Sequence, residues 1–269
     1  MMIIHNNFRH FSALKGLVCF ALIAIPFLSA CDRELGAPPK FNIEDQQQYF
    51  PLFIGHSITY QCDSIVYDFE ISGSTLKIAS TTFIQERTTD TLLDNTGQLT
   101  YTIERYERKA ETDPWLLTKI WLARQDNTQA IRIEDNLTFI RLIYPMDRRS
   151  EWDGNVLIDA NREIEIAGER MRPFVNWRYE VDSIDIAQQI GAFAFDSVLV
   201  ITEVDETNVI ERRLSRSKYA KGKGLVWREQ WILDSQYCNA VPAPTDCETK
   251  PWDQKAERGY ILRQVIVEQ

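Results

Sequence analysis

Beyond Tyr49 the chain is a series of short runs rich in Ile, Val, Thr, Tyr, Phe and Trp, broken by Gly, Asn, Asp and Pro. Several runs alternate cleanly. Tyr101, Ile103 and Arg105 share one face while Thr102, Glu104 and Tyr106 share the other, and Ala130-Ile131-Arg132-Ile133-Glu134 repeats the pattern. A period of two belongs to a strand, whose successive side chains point to opposite faces. The pattern predicts strands over 57–69, 75–87, 98–108, 115–125, 128–134, 137–144, 174–184, 194–204, 208–219, 224–233 and 258–267. Asp94-Asn95-Thr96-Gly97 and Asp126-Asn127 fall between strands at hairpin distances, where such residues supply turn geometry. Only Ile184 to Ile190 approaches a helical period. The predicted fold class is all-β, with antiparallel strands forming a curved sheet, half-barrel or sandwich.

A faint echo suggests two similar halves. Tyr60-Gln61-Cys62-Asp63-Ser64-Ile65 resembles Tyr179-Glu180-Val181-Asp182-Ser183-Ile184, and Phe50-Pro51 resembles Tyr144-Pro145. The offsets differ, so a duplication requires an insertion, and convergent strand chemistry is the competing explanation.

The N-terminus follows a different rule. A polar stretch with Arg9 and Lys15 precedes an apolar run from Leu17 to Phe27, then Leu28-Ser29-Ala30-Cys31. This is the layout of a secretory signal, and the run falls short of the roughly 20 apolar residues a membrane span needs. The tetrapeptide resembles the bacterial lipobox. That resemblance implies a signal peptide over 1–30 and a mature chain starting at Cys31, whose sulfur carries a diacylglyceryl group and whose freed amine carries a third acyl chain. Each buried CH₂ contributes about 0.8 kcal/mol, so two or three chains anchor stably where one does not. Residues 31–48 then read as the lipidated Cys and a tether, with Pro38-Pro39 and a glutamine run. Its coil span is roughly 20 to 25 Å and its stretched limit about 60 Å. The domain is expected over 49–269. The localisation implied is the cell envelope; Asp32 resembles an inner-membrane retention signal used by some bacteria, and the choice of membrane stays open.

The formal charge of the whole chain is −9, and loss of Arg9 and Lys15 with the leader makes the remainder more acidic still. An acidic surface argues against nucleic acid as a partner. Of three histidines, His5 and His10 leave with the leader, so His56 alone remains. Histidine-rich metal sites and the H-E-x-x-H motif are thereby excluded, and no G-x-S-x-G is present. No cofactor or metal is expected. Cys238 and Cys247 enclose a short loop with Pro242 and Pro244 and are expected to pair in an oxidising compartment, leaving Cys62 as a buried thiol.

Asp63-Ser64, Asp182-Ser183, Asp196-Ser197 and Asp234-Ser235 read as strand-end backbone partners, and Asp153-Gly154-Asn155 as a turn. All seven tryptophans lie beyond Cys31. Trp and Tyr serve both β cores and binding clefts, and Trp227 with Trp231, on one strand face, is the candidate binding surface.

Tyr49-Phe50-Pro51-Leu52-Phe53-Ile54-Gly55-His56-Ser57-Ile58-Thr59-Tyr60 looks like the opening of a loose group of bacterial envelope lipoproteins. Tyr219-Ala220-Lys221-Gly222-Lys223-Gly224-Leu225-Val226 is similar to that group's closing Y-A-x-G-x-G-L-V signature. Ile58 stands where the group usually has Trp, and His56 where it often has Asn. The resemblance implies an antiparallel β domain and brings no catalytic residues. The glycine-lysine alternation is no phosphate loop, which needs G-x-x-x-x-G-K-[ST]. The expected function is a non-enzymatic, envelope-anchored lipoprotein that binds a partner protein, a lipid-like ligand or a glycan. The rivals are a scaffolding lipoprotein without ligand and a carboxylate-based hydrolase. Cys31→Ala is expected to abolish acyl labelling and leave the precursor uncleaved, read by radiolabelled palmitate incorporation and gel mobility.

Overall fold

The computed structural model describes residues 41–70 and 73–268; the leader and Cys31 lie outside the described residues. In chain order the described part contains α1 (Ile43–Gln47), β1 (Ser57–Phe69), β2 (Thr75–Leu93), β3 (Leu99–Arg108), β4 (Leu116–Gln125), β5 (Gln129–Glu134) and β6 (Leu137–Ile143). It continues with β7 (Glu151–Trp152), β8 (Ile164–Ile166), β9 (Glu169–Met171), β10 (Tyr179–Ile190), β11 (Phe193–Thr207), β12 (Glu211–Ala220), β13 (Gly224–Asp234), α2 (Trp252–Lys255) and β14 (Arg258–Glu268).

Twelve strands form one antiparallel sheet in the order β6-β5-β4-β3-β2-β1-β14-β13-β12-β11-β10-β7. It consists of two meanders, β1 to β6 and β10 to β14, joined where β1 pairs with β14. Both meanders progress the same way around the sheet, and the two echoed segments lie within their first strands, β1 and β10. The curved sheet nearly closes on itself. At the seam, Ile140 N–H of β6 donates to Gly154 O at 2.8 Å, and the Trp152 indole donates to Ile140 O at 2.9 Å. No strand ladder joins β6 to β7. Gly154 is demanded there, because a Cβ would lie 2.4 Å from the Tyr179 ring. Closure shields the edges that an open sheet of this size would expose to other chains.

Strand boundaries follow the predicted runs closely for β1, β3 to β6 and β11 to β14, whereas β2 runs on to Leu93, beyond the predicted 75–87, and the run predicted over 174–184 is β10, Tyr179–Ile190. The helical period over Ile184–Ile190 is instead part of β10. Register shifts between Val181 and Ser183, Ser183 and Ile186, and Ile186 and Gln188 explain the misleading pattern. Each bulge resets the alternation, so the apolar residues no longer recur every second position. The short β7, β8 and β9 were not predicted, being too brief to carry a period.

The compact body begins at Phe41, ahead of Tyr49. The glutamines of α1 pack polar side chains onto backbone. Gln46 donates to Met146 O and accepts from Met146 N, both at 2.8 Å, while Gln47 donates to Asp126 O at 2.9 Å. Such pairing offsets the cost of burying Gln46. Tyr49 and Phe50 then enter the main apolar core beside Leu142, Tyr144, Leu225 and Tyr219. Residues of the 164–177 segment, including Met171 and Trp177, join the same core.

Cys238 and Cys247 are joined, and Cys62 is buried and free, its thiol pushed up to about 11 chiefly by burial. The bridged loop leads into α2, where Lys255 donates to Cys247 O and Asp253 O accepts from Tyr67. Replacing both bridged cysteines with Ser is expected to lower stability by a little under about 3 kcal/mol, since the bridge restricts the unfolded chain by closing a short loop. Urea unfolding of parent and double variant measures it.

Candidate functional site

Alternation on adjacent strands carries a row of charged residues into the enclosed side of the sheet. Ile58 of β1 lies opposite Glu86 of β2, and Glu86 lies opposite Arg105 of β3. Arg132 of β5 reaches Glu86 at 2.7 Å and Glu134 at 3.1 Å. Arg141 of β6 reaches Glu134 at 2.9 Å and Glu203 of β11 at 3.8 Å. Glu203 also accepts from Ser215 at 2.5 Å and Ser217 at 2.8 Å. Trp121 lies between two of these cations, with the guanidinium carbons of Arg105 and Arg132 at 4.9 and 5.1 Å from its ring centre. The ring face attracts both cations where water is scarce.

Burial would by itself raise the Glu134 carboxyl, but Arg141 and Arg132 outweigh it and hold the group down to about 2. Arg132 and Arg141 are raised above the usual arginine range because their acidic neighbours outweigh burial. The Tyr60 and Tyr219 hydroxyls are pushed up by burial. Glu134, Arg132 and Arg141 are therefore held in their ordinary charge states at neutral pH, which is the condition for fixed electrostatics and a poor one for proton transfer.

The network opens on one side into a cavity roofed by Phe50, Pro51 and Leu52, with Arg132, Arg141 and Arg228 among its walls and Lys223 near the mouth. Its atom-free space is about 540 Å³ with the open mouth counted, but only about 50 Å³ lies where the centre of a water could sit. A water needs roughly 10 to 15 Å³ by that measure, so the deep part suits a few waters or one small polar group. This is not a cavity for acyl chains.

Residues 49–60 and 219–226, far apart in sequence, meet at this roof. Gly222 N–H donates to Gln48 O at 2.8 Å. Gly224 has φ of +84°, and a Cβ there would lie 3.3 Å from Pro51 Cδ. Glycine is favoured on both counts, by the left-handed backbone and by the close approach of the roof. Tyr49 donates to Asp185 at 2.8 Å, Ser197 donates to the same oxygen at 2.7 Å, and Lys221 bridges Asp185 and Asp45 at 2.6 Å each. Although burial disfavours its charge, the two aspartates raise Lys221 well above its usual range, so this cluster pins the roof and provides no lysine base.

His56 lines the cavity beside Lys223 and stacks edge-on against Phe53 at 5.1 Å. Burial, then the Lys223 charge, lower its pKa, which leaves it neutral at pH 7. Trp227 and Trp231 lie apart from the cavity. Trp227 packs partly buried with the cluster of Ile190, Val198 and Val226, under Lys218 at 5.0 Å from its ring. Trp231 packs partly buried with Tyr67, Leu233 and Trp252. They belong to two separate clusters. Asp153-Gly154-Asn155 forms the seam turn, with Asn155 N–H donating to Asp153 Oδ1 at 2.9 Å. Among the described residues no group of three or more His, Cys, Asp or Glu is placed to hold a metal ion.

The arginines of the cavity went unnoticed in the sequence. The available signal was Arg132 and Glu134 on one face of an alternating strand, which also fits a solvated face; only closure of the sheet turns that face inward.

No family profile and no curated protein matches the sequence. Two solved structures are weakly similar. One, from Parabacteroides distasonis, is described as a "putative lipoprotein"; it is 10% identical with a TM-score of 0.36, over 82% of this chain and 97% of that one. The other, from Bacteroides fragilis, is described as a "putative exported protein with YmcC-like fold"; it is 13% identical with a TM-score of 0.32, over 81% and 96%.

Removing one partner of a buried ion pair leaves the other uncompensated, at about 3 to 5 kcal/mol. Glu134→Gln is expected to destabilise by about that amount at pH 7. Because the Glu134 pKa is depressed on folding, its contribution is complete above about 4.5 and is lost as pH falls towards about 2. Urea titrations at pH 7 and pH 3 check this: the gap between parent and variant should narrow at the lower pH.

Proposed function

We propose that the protein is a lipid-anchored lipoprotein of the bacterial envelope that works by binding, without catalysis, and that its ligand enters the roofed cavity. The anchor rests on Leu28-Ser29-Ala30-Cys31. The observation that supports the cavity is that the opening and closing signature segments converge on it, with Gly224 packed beneath Pro51. A glycan or a lipid headgroup suits the small cationic interior better than an acyl chain does. The hydrolase rival is disfavoured because Glu86, Glu134 and Glu203 are each committed to arginine, whereas glycoside hydrolysis needs one carboxyl free to exchange a proton.

The test uses the full chain in detergent, incubated with fractionated envelope glycans and with lipid extracts, with retained molecules identified by mass spectrometry. Leu52→Ser, in the roof, is expected to weaken retention at least about tenfold, the equivalent of about 1.4 kcal/mol. Retention of nothing, or retention indifferent to the roof, would count against the proposal, and turnover of a retained glycan would revive the hydrolase.

A further inference from the structure

One cation of the network has no carboxylate within ion-pair distance, although Glu203 and Glu134 favour its charge from further away. Arg105 is 3.6 Å from Glu86 and 2.9 Å from Glu107, while Arg132 and Arg141 share Glu86, Glu134 and Glu203. Arg228 of β13, between Ser217 and Gln264 in register, makes no ion pair within 4.0 Å among the described residues. Its hydrogen bond runs from Nε to Ser217 Oγ at 3.2 Å, and Ser217 donates its own proton to Glu203. Among the described residues the two terminal nitrogens of Arg228 donate to no protein acceptor, and the residue forms part of the cavity wall.

A guanidinium enclosed by protein is costly unless its fork of N–H groups meets acceptors. Two parallel N–H donors match the oxygens of a carboxylate or phosphate, and such charge-assisted pairs are roughly twice as strong as neutral ones. Lys223 adds positive charge at the mouth. Glu86 is the acid among the lining residues, and two arginines already engage it. Phe50, Leu52 and Leu225 give the roof and rim an apolar surface.

We propose that Arg228 is the anchor of an oxyanion site that takes a single carboxylate or phosphate group at the end of a ligand, whose remainder rests against Phe50, Leu52 and Leu225. The deep space of about 50 Å³ admits one such group and little more. This rests on the reading of the cavity as a binding site and names the chemistry it recognises.

Three probes separate the sources of the anion: inorganic phosphate, glucuronate for an acidic sugar and glycerol 3-phosphate for a lipid headgroup. Calorimetry and thermal unfolding of the full chain in detergent supply the readouts. For at least one probe the parent is expected to bind and its Tm to rise with the logarithm of anion concentration, as mass action requires. Arg228→Met is expected to lose that binding at least about tenfold. In anion-free buffer its Tm should stay close to the parent's, since Met keeps the apolar stem and the terminal nitrogens that are lost donate to no protein acceptor. Arg228→Lys, which keeps the charge and loses the fork, should bind more weakly than the parent and more tightly than Arg228→Met.

No response of the parent to any probe, an equal response in Arg228→Met, or a marked loss of anion-free stability in that variant would overturn the assignment. A retained envelope ligand lost in Leu52→Ser but kept in Arg228→Met would overturn the oxyanion site alone. A ligand indifferent to both would remove the cavity reading with it.

Discussion

A sheet that curls until its edges meet must fill its own interior, and this one does so partly with charge. The chain of contacts from Arg105 through Glu86, Arg132, Glu134 and Arg141 to Glu203 runs from β3 to β11, from one meander into the other. Inside a closed sheet these groups cannot recover the water they lose, so each depends on the next. Among the described residues the seam carries the Ile140–Gly154 backbone bond, the Trp152 indole bond and a bond from Arg141 to the Tyr179 hydroxyl at 3.4 Å. The link between Arg141 and Glu203 therefore helps join two edges that hydrogen-bond little to each other.

That arrangement decides what the rest of the chain does. Residues 41–48 pack onto the end of the sheet beside the β12–β13 turn. Polar α1 does so by pairing Gln46 and Gln47 with backbone, and Tyr49 and Phe50 supply the apolar contact. The turn at Lys221 to Gly224 receives this segment on two glycines. The cavity is what remains between this roof and the charged interior, which explains why its rim is apolar and its depth cationic.

The same geometry separates the two classes of aromatic residue. Trp121 shares the inward face with Arg105 and Arg132, whose guanidinium groups lie 4.9 and 5.1 Å from its ring centre, so its role follows from the ion network. Trp227 and Trp231, on the opposite alternation of β13 from Arg228, pack in separate clusters, the first with β10–β11 residues and the second with Tyr67 of β1 and Trp252 of α2. The cavity is thereby lined by arginines whose charge does not titrate near neutrality and by a short apolar rim.

Periodicity alone was enough to place β1, β3 to β6 and β11 to β14, because strands of this length impose a period of two on any chain that half-buries them. It was also enough to mark the turns at Asp94–Gly97 and Asp126, where the aspartate side chains accept from Thr96 and Thr128 backbone N–H groups. Composition placed the Cys238–Cys247 bridge, since a short loop leaves few alternatives. The period failed at β10, where bulges reset it, and was silent for β7 to β9. Nothing local distinguished Arg132, Arg141 and Arg228 from residues of a solvated face. Which face of a strand is enclosed depends on whether strands remote in sequence close around it, and that was decided by the tertiary structure alone.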